Sequence, residues 1–252
     1  MTMVFKLLAL YRDTAKSATK DLLRNPSIII GSLAACALFW VALTLFGGLG
    51  FAGGMIVGMI QVALISLYFS WLAATIDRER LGFRDLWSFD YGMFFTVLSV
   101  GFVIWIAQFL LQSFITSADQ AWILQLFGLS VVLIFNCIPE VIYLQRIESI
   151  PALTAAAQFT QRFWIEWFLP FLVLTLPWLT SDPTAVLLSF GLSEPLLPAT
   201  TVIMAVQTAL MRLGLDLGFL GLALGAVVAN WYMLFRGNLF KSLDSGRLRY
   251  RP

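Results

Sequence analysis

The sequence predicts an all-α membrane protein, a polytopic six-helix transmembrane bundle with interfacial amphipathic helices. Three observations carry that expectation. Hydrophobic residues make up 60% of the 252 residues and charged residues 12%, with a mean hydropathy of +0.88, far above the near-balanced apolar usage of a chain that folds in water. Six continuous apolar stretches approach or exceed the ~20 residues that a helix needs to cross the hydrocarbon core. All sixteen Lys and Arg except Arg212 fall in segments on one side of those stretches, which the positive-inside rule reads as the cytoplasmic side.

Residues 1–25 come first, as an amphipathic surface helix. Val4, Leu8, Tyr11, Ala15, Ala18 and Leu22 recur at helical spacing while Lys16, Lys20 and Arg24 form a stripe on another face, the pattern of a helix lying along a membrane with its cations at the headgroups. Asn25 and Pro26 end it. The spans follow at 28–46, 55–76, 93–115, 121–144, 164–180 and 213–235, within a transmembrane domain of 26–240. They are continuously apolar where the strands of a barrel would alternate, and the first is longer than the core of a signal peptide.

The connections have their own patterns. Residues 77–90 form a charged link containing Phe83, Leu86 and Trp87, and residues 149–163, opening on Ser149 and Pro151, read as a second amphipathic helix that leads into the fifth span. The segment 183–211 is interrupted by Pro183, Pro195 and Pro198 and reads as an excursion on the outer surface, partly helical over 200–212, because a seventh crossing would export the basic tail. That tail, 241–252, carries Arg247, Arg249 and Arg251; Arg236, just past the sixth span, counts with it as cytoplasmic. An even number of crossings places both termini in the cytoplasm. Trp and Tyr cluster near the span ends, except Trp105, which falls mid-span and asks for a packing reason.

Composition excludes much chemistry. Histidine is absent, which removes the usual metal and haem ligand and the neutral-pH proton shuttle. Cys36 and Cys137 both lie in apolar runs, leaving neither a disulfide framework nor a thiolate cluster. No phosphate loop, zinc-protease motif or Ser-His arrangement is present, and the connections are too short for a soluble catalytic domain. The net charge of +2 gives no reason to expect nucleic acid as a partner. No enzyme activity and no cofactor are therefore expected.

Polar groups inside the spans are the remaining candidates, because each is costly in a bilayer. Asn136, Glu140 and Tyr143 share one face of the fourth span, with Pro139 freeing a backbone carbonyl beside them, and Asn230 stands near the inner end of the sixth. Glu140 lies close enough to the inner boundary to reach headgroup water or Arg146. Arg162 and Glu166, and Arg212 and Asp216, are spaced to pair across span ends. Gly50, Gly54 and Gly58 recur every four residues into the second span, and Gly214 with Gly218 and Gly221 with Gly225 form two ridges along the sixth. Both patterns allow close helix approach, either between spans two and six or toward a partner's helix.

Pro139, Glu140, Glu148, Ala152, Leu153, Ala155, Ala156, Phe159, Arg162 and Trp164 together carry a resemblance. The segment is similar to the inner-loop pattern of small bacterial six-span families, the YciC-like proteins and the membrane domain attached to some glycerophosphodiester phosphodiesterases. The resemblance implies an integral membrane protein without a known catalytic centre. The expected function is a non-catalytic structural or accessory subunit, with membrane lipids and other membrane-protein subunits or a second copy as partners. Lys16, Lys20, Arg24, Arg247, Arg249 and Arg251 are the expected headgroup or partner contacts. The alternative is a small-solute or lipid permease with its site near Asn136 and Glu140.

Overall fold

The computed structural model describes residues 2–77, 79–82, 84–114, 121–179, 198–215 and 218–245, and the regular structure among them is helical without a strand. The helices are α1 (Thr2–Arg24), α2 (Ser27–Phe46), α3 (Gly50–Ile76), α4 (Tyr91–Phe114), α5 (Ala121–Phe135), α6 (Ile138–Glu140), α7 (Ser149–Leu179), α8 (Pro198–Arg212) and α9 (Phe219–Asp244). Three stretches among the described residues are long and apolar enough to cross a membrane: Ser27–Ile76, Tyr91–Leu111 and Leu220–Asp244. A fourth joins them if Leu126–Phe135 and Ile138–Gln145, bent by 45° to one another, form one span.

The first stretch doubles back. Gly50 takes φ 61° and ψ −137°, a conformation open to glycine and strained for other residues, and the chain reverses there between α2 and α3. Gly31, early in α2, then lies against Trp71, late in α3, so closely that a Cβ would stand 2.9 Å from the indole. The stretch is thus an antiparallel hairpin of two apolar legs.

Other elements depart from the sequence expectation in definable ways. The fourth predicted span breaks at Asn136 and Cys137, just before Pro139, whose ring and missing N–H exclude a regular turn. It resumes as α6 and a π-turn, Val141–Gln145. The fifth is the second half of α7, beyond a kink at Phe163 (φ −126°, ψ 29°). The sixth begins later than predicted, at Phe219, and runs past Phe235 to Asp244.

Helix α8, expected on the outer surface, packs against α9 and α7. Val202 and Ala205 are buried, and a Cβ on Gly225 would lie 3.2 Å from Ile203. Its apolar side needs cover, and the neighbouring helix supplies it. Residues 181–197 of the same excursion lie outside the described residues.

One end of the bundle is a polar rim. Lys241 pairs with Asp77, Arg146 with Asp90 at 3.3 Å, and Gln145 donates to Asp244 at 3.2 Å. At the same end Asn25 accepts from the Leu81 amide at 3.0 Å and donates to the Glu79 carbonyl at 3.2 Å. The connections that the charge pattern assigns to one side therefore converge in space. Helix α1 crosses this end: Tyr11 meets Phe235, Thr19 accepts from Trp231 and Asp21 accepts from Asn238. Helix α1 thus packs against α9 at this end.

The core is concentrated near the rim, where Phe69, Leu72, Ile138, Ile142, Met233, Leu234 and Leu239 are fully buried. Away from it, Trp40, Leu45, Phe51, Met55, Phe109 and Phe114 are exposed, a belt that lipid tolerates and water does not. Trp105 belongs to this belt: it is exposed and stacks on Phe102 and Phe109, with ring centroids 5.9 and 5.6 Å away.

Candidate functional site

The break in the fourth predicted span positions the only buried ion pair among the described residues. Arg236, on α9, is 3% exposed at its side chain and Glu140, on α6, is 0% exposed. The guanidinium grips the carboxylate with two parallel bonds, Nε to Oε1 at 2.8 Å and Nη2 to Oε2 at 2.8 Å. Such fork-to-fork geometry is the strongest form of the pair. Arg236 also donates through Nη1 to Asn136 Oδ1 at 2.9 Å and through Nη2 to the Asn136 carbonyl. That carbonyl sits at the break between α5 and α6, so a group released from one helix is satisfied by a side chain of another.

Aromatic rings close the cluster. The Arg236 guanidinium carbon lies 4.7 Å from the centre of the Trp167 ring and 5.7 Å from that of Tyr232. Trp167 in turn donates from Nε1 to Asn136 Oδ1 at 3.1 Å, and Phe159 stacks on Phe240 with centroids 4.4 Å apart. Helices α5, α6, α7 and α9 are tied together at this point. Comparison of the chain with protein-family models, curated proteins and solved structures gives no match. The reading of the site therefore rests on its geometry.

Asn136 and Glu140 come together as their spacing suggests, but the partner of Glu140 is Arg236, and Arg146 is engaged by Asp90 instead. Sequence reasoning missed Arg236 by ending the sixth span at Phe235. The available signal was Tyr232, Arg236 and Phe240, spaced four apart on an uninterrupted helix, which turns the arginine inward with two aromatic residues. Tyr143 is buried near the pair, with its hydroxyl packed against Gly237 of α9. Asn230 belongs elsewhere, donating to Ser32 Oγ at 2.9 Å and to the Ala226 carbonyl at 2.8 Å.

The glycine expectation needs correction. A Cβ on Gly50, Gly54 or Gly58 would meet nothing within 4 Å, so these residues form no seam within the chain. Gly214 and Gly218 sit at positive φ, 73° and 50°, in the turn before α9, and also face open space. Gly221 is buried on α9, and Gly225 does pack closely, against α8 and not against α3. The close approach of α9 to α3 is made by Gly237, where a Cβ would stand 2.2 Å from Ile76 and 2.6 Å from the Tyr143 hydroxyl. Small-residue spacing shows which surfaces permit close packing, while the partner depends on the turns between helices.

Lys16, Lys20 and Arg24 are exposed on α1. Arg247, Arg249 and Arg251 lie outside the described residues, as does Asp216. Arg162 lies over the Phe163 ring at 5.0 Å and forms no ion pair with Glu166, whose backbone carbonyl accepts from Tyr11 at 2.8 Å.

Proposed function

We propose that the protein is a non-catalytic integral membrane protein, a structural or accessory subunit of a membrane complex. In this reading it crosses a bacterial inner membrane six times with both termini in the cytoplasm. The observation that supports it is the saturation of the Arg236 cluster: both carboxylate oxygens of Glu140 and four hydrogen bonds of the guanidinium are spent inside the chain. A substrate site would keep such groups in reserve, whereas a staple between helices uses them all. Lys16, Lys20 and Arg24, exposed on a helix that crosses the inner end of the bundle, contribute about 1 kcal/mol each beside anionic headgroups. Gly54 and Gly58, open within this chain, suit a helix of a partner or of a second copy.

Gentle-detergent purification followed by mass spectrometry of the bound chains tests this. Stoichiometric recovery with another membrane protein or as a self-assembly is expected. Recovery as a lone monomer under every mild condition would contradict it. A second reading, a small-solute or lipid permease, is favoured by the helix break beside a buried ion pair, an arrangement that transporters use at their sites. Flux in liposomes that is abolished by Glu140→Gln, in protein that remains folded, would select it over the first.

A further inference from the structure

Helix α1 has one flank in the bundle and one outside it. Tyr11, Ala15, Ala18 and Leu22 pack on the core, and Asp21 is buried where it accepts from Asn238 of α9 at 3.0 Å. The other flank carries Arg12, Lys16, Lys20 and Arg24, all exposed. They follow one another every fourth residue, so each stands beside the next on the helix surface. Arg12 pairs at 3.3 Å with Asp13, both 67% exposed at the side chain, and a pair so wetted yields easily to another anion. Lys16, Lys20 and Arg24 enter no ion pair among the described residues. The four cations, with Thr19 and Leu23, line a groove of about 580 Å³.

Apolar residues share this flank, and the mixture specifies the occupant. Helical spacing brings Phe5, Leu8 and Leu23 to the side of Arg12 and Lys16, and they are 60%, 58% and 77% exposed. An acidic protein face or a free anion would answer the cations and leave that apolar surface in water; an apolar partner helix would cover it and strand the charges. A phospholipid brings phosphate and hydrocarbon together. The depth is marked by Trp231 of α9, which donates to Thr19 of the groove at 3.0 Å and stacks on Phe235. An indole with its N–H bonded and its ring on apolar neighbours suits the headgroup level. We propose that the α1 groove is a site for one anionic phospholipid of the inner leaflet, its phosphate held among Lys16, Lys20 and Arg24 and its glycerol and upper acyl region against Leu23. This site rests on the proposed placement of α1 along the inner face of the membrane, and it narrows a general attraction to headgroups into one bound lipid.

Native mass spectrometry of the full chain in detergent, titrated with phosphatidylglycerol or phosphatidylcholine, tests it. One retained phosphatidylglycerol per chain is expected, and equal retention of both lipids would overturn the proposal. Lys16→Gln with Lys20→Gln should weaken that retention roughly thirtyfold. Arg80→Gln with Arg84→Gln removes the same charge from exposed positions of the link between α3 and α4 and should leave it unchanged. Equal losses from the two pairs would show diffuse attraction to the whole rim and no site. Leu23→Ser keeps every cation and should still lower retention several-fold. No effect of Leu23→Ser, together with displacement of the lipid by inorganic phosphate, would show a simple anion site and contradict a lipid. The same spectra separate this site from the proposed function. A lone monomer that holds the lipid contradicts only the subunit reading, and a complex that holds none contradicts only the site.

Discussion

Glu140→Gln would leave the Arg236 guanidinium buried without its counter-charge. Breaking one side of such a pair costs about 3–5 kcal/mol, while replacing both members with apolar residues of similar volume is often close to neutral. Thermal unfolding in detergent should therefore show a large loss for Glu140→Gln and a smaller one for the Glu140→Leu, Arg236→Met double variant. A second residue-scale test concerns close packing. Gly237→Ala must displace Ile76 and the Tyr143 hydroxyl and should destabilise by about 1–3 kcal/mol, whereas Gly54→Ala, in open space, should fall within about 0.5 kcal/mol of the parent. At this scale the sequence revealed Asn136 and Glu140, because helical periodicity places them together. The i, i+4 spacing of Tyr232, Arg236 and Phe240 could have turned Arg236 inward, but its pairing with Glu140 joins residues 96 apart in the chain and no local pattern reports a contact at that range.

At the scale of elements, α1 is held by Leu10, Ala15, Ala18 and Leu22 packed into the core and by Tyr11, whose hydroxyl donates to α7. Burial and the nearby Glu166 charge push the Tyr11 hydroxyl above its ordinary range. It is therefore the neutral donor through physiological pH: its contribution is present in full below the usual tyrosine range and is lost only as pH rises through the elevated folded-state value. Tyr11→Phe should cost about 1 kcal/mol and be visible as faster hydrogen exchange in α1 without loss of the bundle. The helices over 2–24, 27–46, 50–76 and 149–179 were legible, since each rests on a local pattern of apolar and charged residues. The two-part character of 149–180 was legible too, and the kink at Phe163 joins the parts. Pro139 signalled a break in the fourth predicted span, but the arginine that receives the released carbonyl lies 100 residues further along the chain. The packing of α8 was not legible, because its proline-bounded, half-apolar sequence fits a surface position as well as a docked one.

For the whole molecule, two features point the same way. An exposed apolar belt surrounds the part of the bundle remote from α1, and a rim of Lys241, Asp77, Arg146, Asp90, Gln145 and Asp244 closes the other end. Together they describe a chain whose solvent is lipid over most of its length and water at its rim. Site-directed thiol labelling measures this directly. In a chain with Cys36 and Cys137 replaced by Ala, single cysteines at Gln145 and Ser245 of the rim and at Gly48 in the hairpin turn are exposed to a membrane-impermeant reagent in intact cells and in inverted vesicles. The account predicts Gly48→Cys reactive only from outside and the two rim positions only from inside. Reaction of all three from the same face would contradict it.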